Sequence, residues 1–335
     1  LIFNIFAEEK INDMNKIFSL LIAATLILAY GCRNSSNKND NTSREELTGT
    51  ISISGSSVLY PMAQKWAEEF QKLYPNARIN VTTGSDSKSM TDALTGAINI
   101  GMLSRGISKE ESDKGAWFAS VAKYVVVPIV NQSNPVLQQL MFKGLKKEIL
   151  KEIFITGKVT NWDIASGKKK INEKINVYKC SDASSETGIW AKYLGGKQDK
   201  LLGAVEAGSP ELTQAVKNDN NGIGFTTIGL AYDPNSKYEN SGIKVLPIDF
   251  NGNGVIDDKE YFYQHKDSLF KAIADGRFPS SLAPDLYFVC KTKPTDKLVI
   301  TFIKWILSDG QKIISDAGFV SLPVSKAKEE LKQLE

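Results

Sequence analysis

The sequence predicts an α/β fold built on parallel strands, and three observations carry that expectation. Short strands of alternating apolar residues give way repeatedly to segments with helical periodicity. Three turns rich in Ser and Gly each stand between a strand and a helix: Gly55-Ser56-Ser57-Val58, Gly84-Ser85-Asp86-Ser87 and Ser184-Ser185-Glu186-Thr187. Two distant apolar runs, residues 124–130 and 286–289, read as strands suited to cross into a second folded unit and back.

The first segment is a leader. Met14-Asn15-Lys16 opens a charged region, and residues 17–30 form an apolar stretch too short to span a bilayer comfortably. Gly31-Cys32 follows, so the leader resembles a bacterial lipoprotein signal, with Tyr30 an unusual occupant of the cleavage box. The expectation is lipid on Cys32 and removal of residues 1–31; an uncleaved anchor or an ordinary secretory signal is the alternative. Residues 1–13 precede a better start at Met14 and are set aside. Residues 33–46 have no apolar periodicity, so 32–47 reads as a flexible lipidated tether, and the folded body begins near Leu47.

In the body, Ile51 and Ile53 mark a strand, broken at Gly55-Ser56-Ser57. Pro61 suits the first turn of a helix whose face is Met62, Trp66, Phe70 and Leu73. Ile79 and Val81 mark a second strand; Met90, Ala93, Leu94 and Ala97 give a helix stopped near Gly96. Residues 98–102 form a third strand ending at Ser104-Arg105. Beyond the first crossing, residues 145–155 are helical, Ile175 and Val177 lie in a strand, and Ile189, Trp190, Tyr193 and Leu194 face the helix after the third turn. Gly222-Ile223-Gly224-Phe225 is a short strand packed closely by its glycines. Val299, Phe302, Ile303, Ile306 and Leu307 make a strong amphipathic helix.

Composition narrows the function. The 335 residues are 42% hydrophobic and 24% charged, as in a soluble protein of one large or two smaller domains. A net charge of +3 with interspersed signs leaves no nucleic-acid footprint. His265 is the only histidine, which argues against histidine-based metal sites and general-base chemistry. With Cys32 used for lipid, Cys180 and Cys290 are either a disulfide or two buried thiols.

The turns carry the chemistry. A helix start exposes unpaired N–H groups and positive partial charge, a ready site for an anion. In open α/β sheets ligands bind beyond the carboxyl ends of strands, where these turns lie. For each hydroxyl alone, helix capping is the competing role.

Several stretches in order resemble the extracytoplasmic phosphate-binding proteins of Pst-type ABC importers. They are residues 55–61 (Gly-Ser-Ser-Val-Leu-Tyr-Pro) with Gln64-Lys65-Trp66-Ala67; Gly84-Ser85; residues 100–105 (Ile-Gly-Met-Leu-Ser-Arg); residues 153–162 (Ile-Phe-Ile-Thr-Gly-Lys-Val-Thr-Asn-Trp); Gly222-Ile223-Gly224-Phe225; and residues 318–323 (Gly-Phe-Val-Ser-Leu-Pro). They span about residues 48–325. The resemblance implies two α/β lobes, a periplasmic-binding-protein fold, with the ligand cleft between lobes joined by crossover strands. Residues 48–125 and 280–335 would form lobe 1, and 126–279 lobe 2. It implies phosphate held by Ser57, the Val58 amide, Ser85, Ser104, Arg105, Ser185, Glu186 and Thr187. It also implies delivery to membrane permease subunits by a monomer anchored on the periplasmic face of the cytoplasmic membrane.

Two positions depart from that pattern. Ser181 stands where the family has Arg, and Glu186 where it has Gly. Losing a guanidinium removes a partner worth roughly 1.5–3 kcal/mol. Arg105 becomes the expected main cation, with Lys179 and Lys88 as weaker candidates. The Glu186 N–H can still donate, but a carboxylate turned inward would repel a dianion.

A second motif lies at residues 249–260, which satisfy the calcium-loop pattern D-x-[DN]-x-[DN]-G-x5-E. Its oxygens are Asp249, Asn251, Asn253, the Val255 carbonyl, Asp257 and Glu260. A strand at 243–248 precedes it and a helix from about Tyr261 is expected to follow. A plain Asn-Gly turn is the alternative to structural calcium; no other cofactor is expected.

Phosphate capture without catalysis is therefore the expected function. Alternatives are another tetrahedral oxyanion such as sulfate, an adhesive surface lipoprotein, and a phosphate-ester hydrolase, for which no nucleophile-base pair is visible.

Overall fold

A computed structural model describes residues 47–168, 172–181 and 184–335, except the side chain of Asp316. The leader, most of the tether and Cys32 lie outside the described residues.

Each strand-turn-helix unit forms where the sequence alternates. In β1 (Gly49–Ser56), Ile51 and Ile53 point into the core. Helix α1 (Tyr60–Leu73) carries Pro61 in its first turn and buries Met62, Ala63, Trp66, Ala67 and Phe70 along one face. The indole of Trp66 is fully buried and its N–H is satisfied by the Gly310 carbonyl at 2.9 Å. Strand β2 (Ala77–Gly84) pairs parallel with β1. Ser85 caps α2 (Asp86–Thr95), and Gly96 at φ +80° ends it. The buried β3 (Ile100–Leu103) lies parallel on the other side of β1. Ser108 and Glu111 form a capping box on α3 (Lys109–Asp113), before β4 (Trp117–Lys123).

Beyond β4 the chain enters a second sheet. Strand β5 (Val126–Asn131) is followed by short helices α4 (Leu137–Lys143), α5 (Lys147–Lys151) and α6 (Trp162–Ser166). A π-helical turn, Glu152–Thr156, continues α5. Then come β6 (Asn176–Cys180), α7 (Ser185–Tyr193), β7 (Ala204–Glu206), α8 (Ser209–Asn218), β8 (Gly222–Thr227), α9 (Ile228–Ala231), β9 (Ile243–Val245) and α10 (Lys266–Ala274). The chain returns to the first sheet as β10 (Asp285–Cys290) and closes with α11 (Lys297–Ile306) and α12 (Val324–Lys332).

The two sheets have strand orders β2-β1-β3-β10-β4 and β7-β6-β8-β5-β9. They are mixed rather than parallel: β10 is antiparallel to β3 and β4, and β5 to β8 and β9. The reversed strands are the ones entering from the other lobe. A chain arriving at the end where the parallel strands finish must run back down the sheet. Residues 126–130 and 286–289 are strands, as expected, but they lie within the sheets and do not themselves form the crossings. The first passage is Tyr124-Val125, and the second precedes Asp285.

One further expectation is corrected. No helix begins near Tyr261: α10 starts at Lys266, behind His265 as N-cap. Residues 262–263 are held by packing instead, with Phe262 stacked with Phe250 and edge-on to Phe278, and the Tyr263 carbonyl taking the Tyr232 hydroxyl at 2.5 Å. Cys180 and Cys290 are free and buried, one in a strand of each sheet. No described helix is long and apolar enough to cross a membrane.

Candidate functional site

The first wall is made at the end of β1. Gly55 has φ +145°, and a Cβ there would lie 2.2 Å from the Met102 carbonyl oxygen, so only glycine lets β1 approach β3 this closely. The chain then turns, leaving Ser57 exposed and Val58 half-buried before α1. The Val58 N–H donates to Ser56 Oγ over 3.3 Å.

The second wall is the start of α7. Ser184 is its cap, accepting the Thr187 N–H at 3.1 Å. The Ser184 hydroxyl donates to Thr187 Oγ1 at 3.0 Å, and the Thr187 hydroxyl to the Cys180 carbonyl at 3.3 Å. Among the described residues, the N–H groups of Ser185 and Glu186 have no protein partner.

Both walls line one cavity of about 650 Å³, with Tyr124 from the first passage between them. Gly318 and Gly229 close it from opposite lobes; a Cβ on Gly229 would lie 3.0 Å from the Gly318 Cα. An adjoining cavity of about 490 Å³ is lined by Ser104, Arg105 and Lys192 and shares Ser185 with the first.

The charges are distributed unexpectedly. The Glu186 carboxylate faces the first cavity and accepts the Tyr124 hydroxyl. Burial, then the neighbouring Glu186 charge and its hydrogen bond, push the Tyr124 phenol far above its ordinary range, so it stays a donor. Arg105 is engaged by Glu111, at 2.9 Å from Nη1 and 2.6 Å from Nη2. That hydrogen bond chiefly holds the Glu111 carboxyl down at about 2. Lys266, 2% exposed, borders the first cavity and donates to the Ser315 carbonyl at 2.9 Å.

The residues singled out for an anion therefore divide. Ser57, Val58, Ser185 and Glu186 line the first cavity; Ser104 and Arg105 line the second. Ser85 and Thr187 line neither. The Ser85 hydroxyl caps α2 by accepting the Lys88 N–H, and Thr187 is fully buried beneath its own turn. The Ser104 N–H and hydroxyl donate to Asp86 Oδ2 at 2.9 and 3.0 Å. Of the weaker cations, Lys88 is tied to Asp92 at 2.5 Å and Lys179 is buried in β6. Asp86, Tyr124, Lys266 and Gly318 were not singled out. Tyr124 sits in an apolar run that hides its hydroxyl, and nothing in sequence marks Lys266 among its neighbours as a buried lysine.

The loop at residues 249–260 stands apart from both cavities. It packs on α4, with the Ile256 N–H on the Phe142 carbonyl at 2.8 Å.

Comparison with known proteins agrees with this architecture. Residues 40–310 match the family model of the PBP superfamily domain. A phosphate-binding protein PstS of Bacillus subtilis is 26% identical over 307 residues, covering 90% of this chain and 97% of that protein. A solved structure of a possible phosphate-binding protein from Planctomyces limnophilus superposes with TM-score 0.62 at 19% identity, covering 86% of this chain and 98% of that one. A putative phosphate ABC transporter substrate-binding protein from Clostridium perfringens, solved with bound phosphate, has TM-score 0.57 at 22% identity, covering 82% of this chain and 100% of its own.

Proposed function

The chain belongs to the PBP superfamily, and we propose that it captures inorganic phosphate between its lobes, outside the cytoplasm, and delivers it to an ABC-type permease. One observation carries the reading: the β1–α1 turn of one lobe and the first turn of α7 from the other meet at a single cavity. A tetrahedral oxyanion there would take the Ser185 and Glu186 N–H groups from one side and the Ser57 hydroxyl from the other. Charge-assisted bonds of this kind are worth roughly 1.5–3 kcal/mol each. The names of the relatives support phosphate as that oxyanion.

Binding fits the lining better than turnover. The hydroxyls at the cavity have no imidazole beside them; His265 caps α10 and packs on Tyr238, ring centres 4.9 Å apart. Lipid on Cys32 would hold the protein at the membrane face on a tether long enough to reach a permease. The test is to give the full chain phosphate and, separately, a chromogenic phosphate ester. Saturable phosphate binding without ester turnover supports the reading; turnover contradicts it. Cys32→Ala should release the protein or leave it unprocessed, and unchanged mass together with unchanged membrane partition of the mature protein contradicts the anchor.

A further inference from the structure

The loop at residues 249–260 takes no part in the cleft, and we propose that it binds one calcium ion. Oxygen-bearing residues recur at Asp249, Asn251, Asn253, Asp257 and Glu260, with the Val255 carbonyl between. Gly254, at φ +85°, makes the sharp turn that such a twelve-residue loop requires.

The buried carboxylates point to a cation. Asp249 and Glu260 are each only 3% exposed, and among the described residues neither pairs with a lysine or arginine. An isolated buried charge is costly unless it is compensated. Backbone N–H groups compensate part of it. Asp249 accepts from Gly252 at 2.7 Å and Gly254 at 2.9 Å, and Glu260 Oε1 accepts from Phe250 at 2.6 Å and Asn251 at 3.0 Å. Those last two bonds fix the Glu260 carboxylate against the inside of the loop. Its other oxygen, Oε2, is buried with no hydrogen-bond partner among the described residues. An anionic oxygen in that position is what a cation would satisfy.

The remaining ligands are close to hand. Asn251 Oδ1 and Asn253 Oδ1 each accept one backbone N–H at 2.9 Å and keep a second lone pair. Their Nδ2 groups converge on Asp257 Oδ2 at 3.0 and 3.2 Å, two neutral donors on a carboxylate that a cation would hold more strongly. Among the described residues no three His, Cys, Asp or Glu side chains already stand together as a metal set. The ion must therefore draw Asp257 inward and use the neutral oxygens as well. An all-oxygen, partly neutral and adjustable shell suits calcium; magnesium demands a stricter octahedron and zinc prefers nitrogen or sulfur.

The experiment is calorimetric and thermal titration of the chelator-stripped full chain with calcium chloride. The expected result is one ion per chain and a melting rise of about 5 °C at a hundredfold excess over Kd. Magnesium chloride at equal concentration should give less than half that rise. Glu260→Gln should abolish the shift. Asp257→Asn, at the half-exposed rim, keeps the test sound if Glu260→Gln fails to fold: it should weaken calcium at least tenfold, with the melting shift read against that variant's own calcium-free melting point. No heat and no shift up to about 10 mM calcium, weaker than extracellular calcium modules bind, would overturn the proposal. So would undiminished binding in Asp257→Asn.

Discussion

Arg105 meets Glu111 in a two-pronged contact, Nη1 to Oε2 at 2.9 Å and Nη2 to Oε1 at 2.6 Å. With a third bond to the Gly106 carbonyl, this uses three of the five guanidinium N–H donors within its own lobe. The expected main cation of the site is therefore largely neutralised in place. Arg105→Ala should weaken phosphate less than tenfold, and Glu111→Gln, which releases the guanidinium, should strengthen it severalfold. Titration of both variants checks this; a hundredfold loss in Arg105→Ala would mean the arginine swings onto the ligand. The pair also has a pH signature. The folded Glu111 value is lowered from 4.5 to about 2. Its stabilisation is thus present above about 4.5 and is lost as pH falls through about 2. The Arg105 side chain is 38% exposed, so the loss should stay below about 1 kcal/mol in acid denaturation.

Glu186 should set how the site treats charge. Its carboxylate is held by the Tyr124 hydroxyl at the cavity wall. An anion that carries a proton can donate to it, whereas a fully ionised one is repelled. Glu186→Gln should therefore raise affinity for sulfate about tenfold and flatten the fall in phosphate affinity between pH 6 and pH 9. Tyr124→Phe, which unties the carboxylate, should lower phosphate affinity. Sulfate binding indifferent to Glu186→Gln would show that the side chain turns away when the ligand enters.

The α7 start contributes through its backbone, which substitution can reach. Proline fits the first helical position without strain and removes one N–H. Ser185→Pro should lose roughly tenfold more phosphate affinity than Ser185→Ala, which removes only the hydroxyl. Equal losses in the two titrations would assign the contact to the side chain alone.

The alternation of strand and helix was legible because burial enforces it: Ile51 and Ile53, or Met62, Trp66 and Phe70, can satisfy only one periodicity. Strand direction was not. Residues 126–130 and 286–289 look the same in either orientation, since strands buried on both faces show no pattern that encodes polarity. The turns at Ser57 and Ser185 were visible as strand-to-helix breaks. Which hydroxyl caps and which faces the cavity was not visible, because Ser184, Ser185 and Thr187 are equivalent until the helix start is fixed. Once Ser184 becomes the cap, Thr187 is committed inward and Ser185 is left to the cleft. The Arg105–Glu111 pair is local, six positions apart, and depends on how the turn between them folds back, whereas the Tyr124–Glu186 pair depends on tertiary approach across 62 positions of chain.

The most direct measurement is calorimetric titration of the ligand-stripped full chain with phosphate, sulfate and arsenate. The account predicts one phosphate per chain and arsenate competing at the same site. It predicts sulfate at least a hundredfold weaker, because Glu186 stands in the cavity as an acceptor that sulfate has no proton to satisfy. No phosphate binding, or sulfate bound more tightly than phosphate, would contradict it.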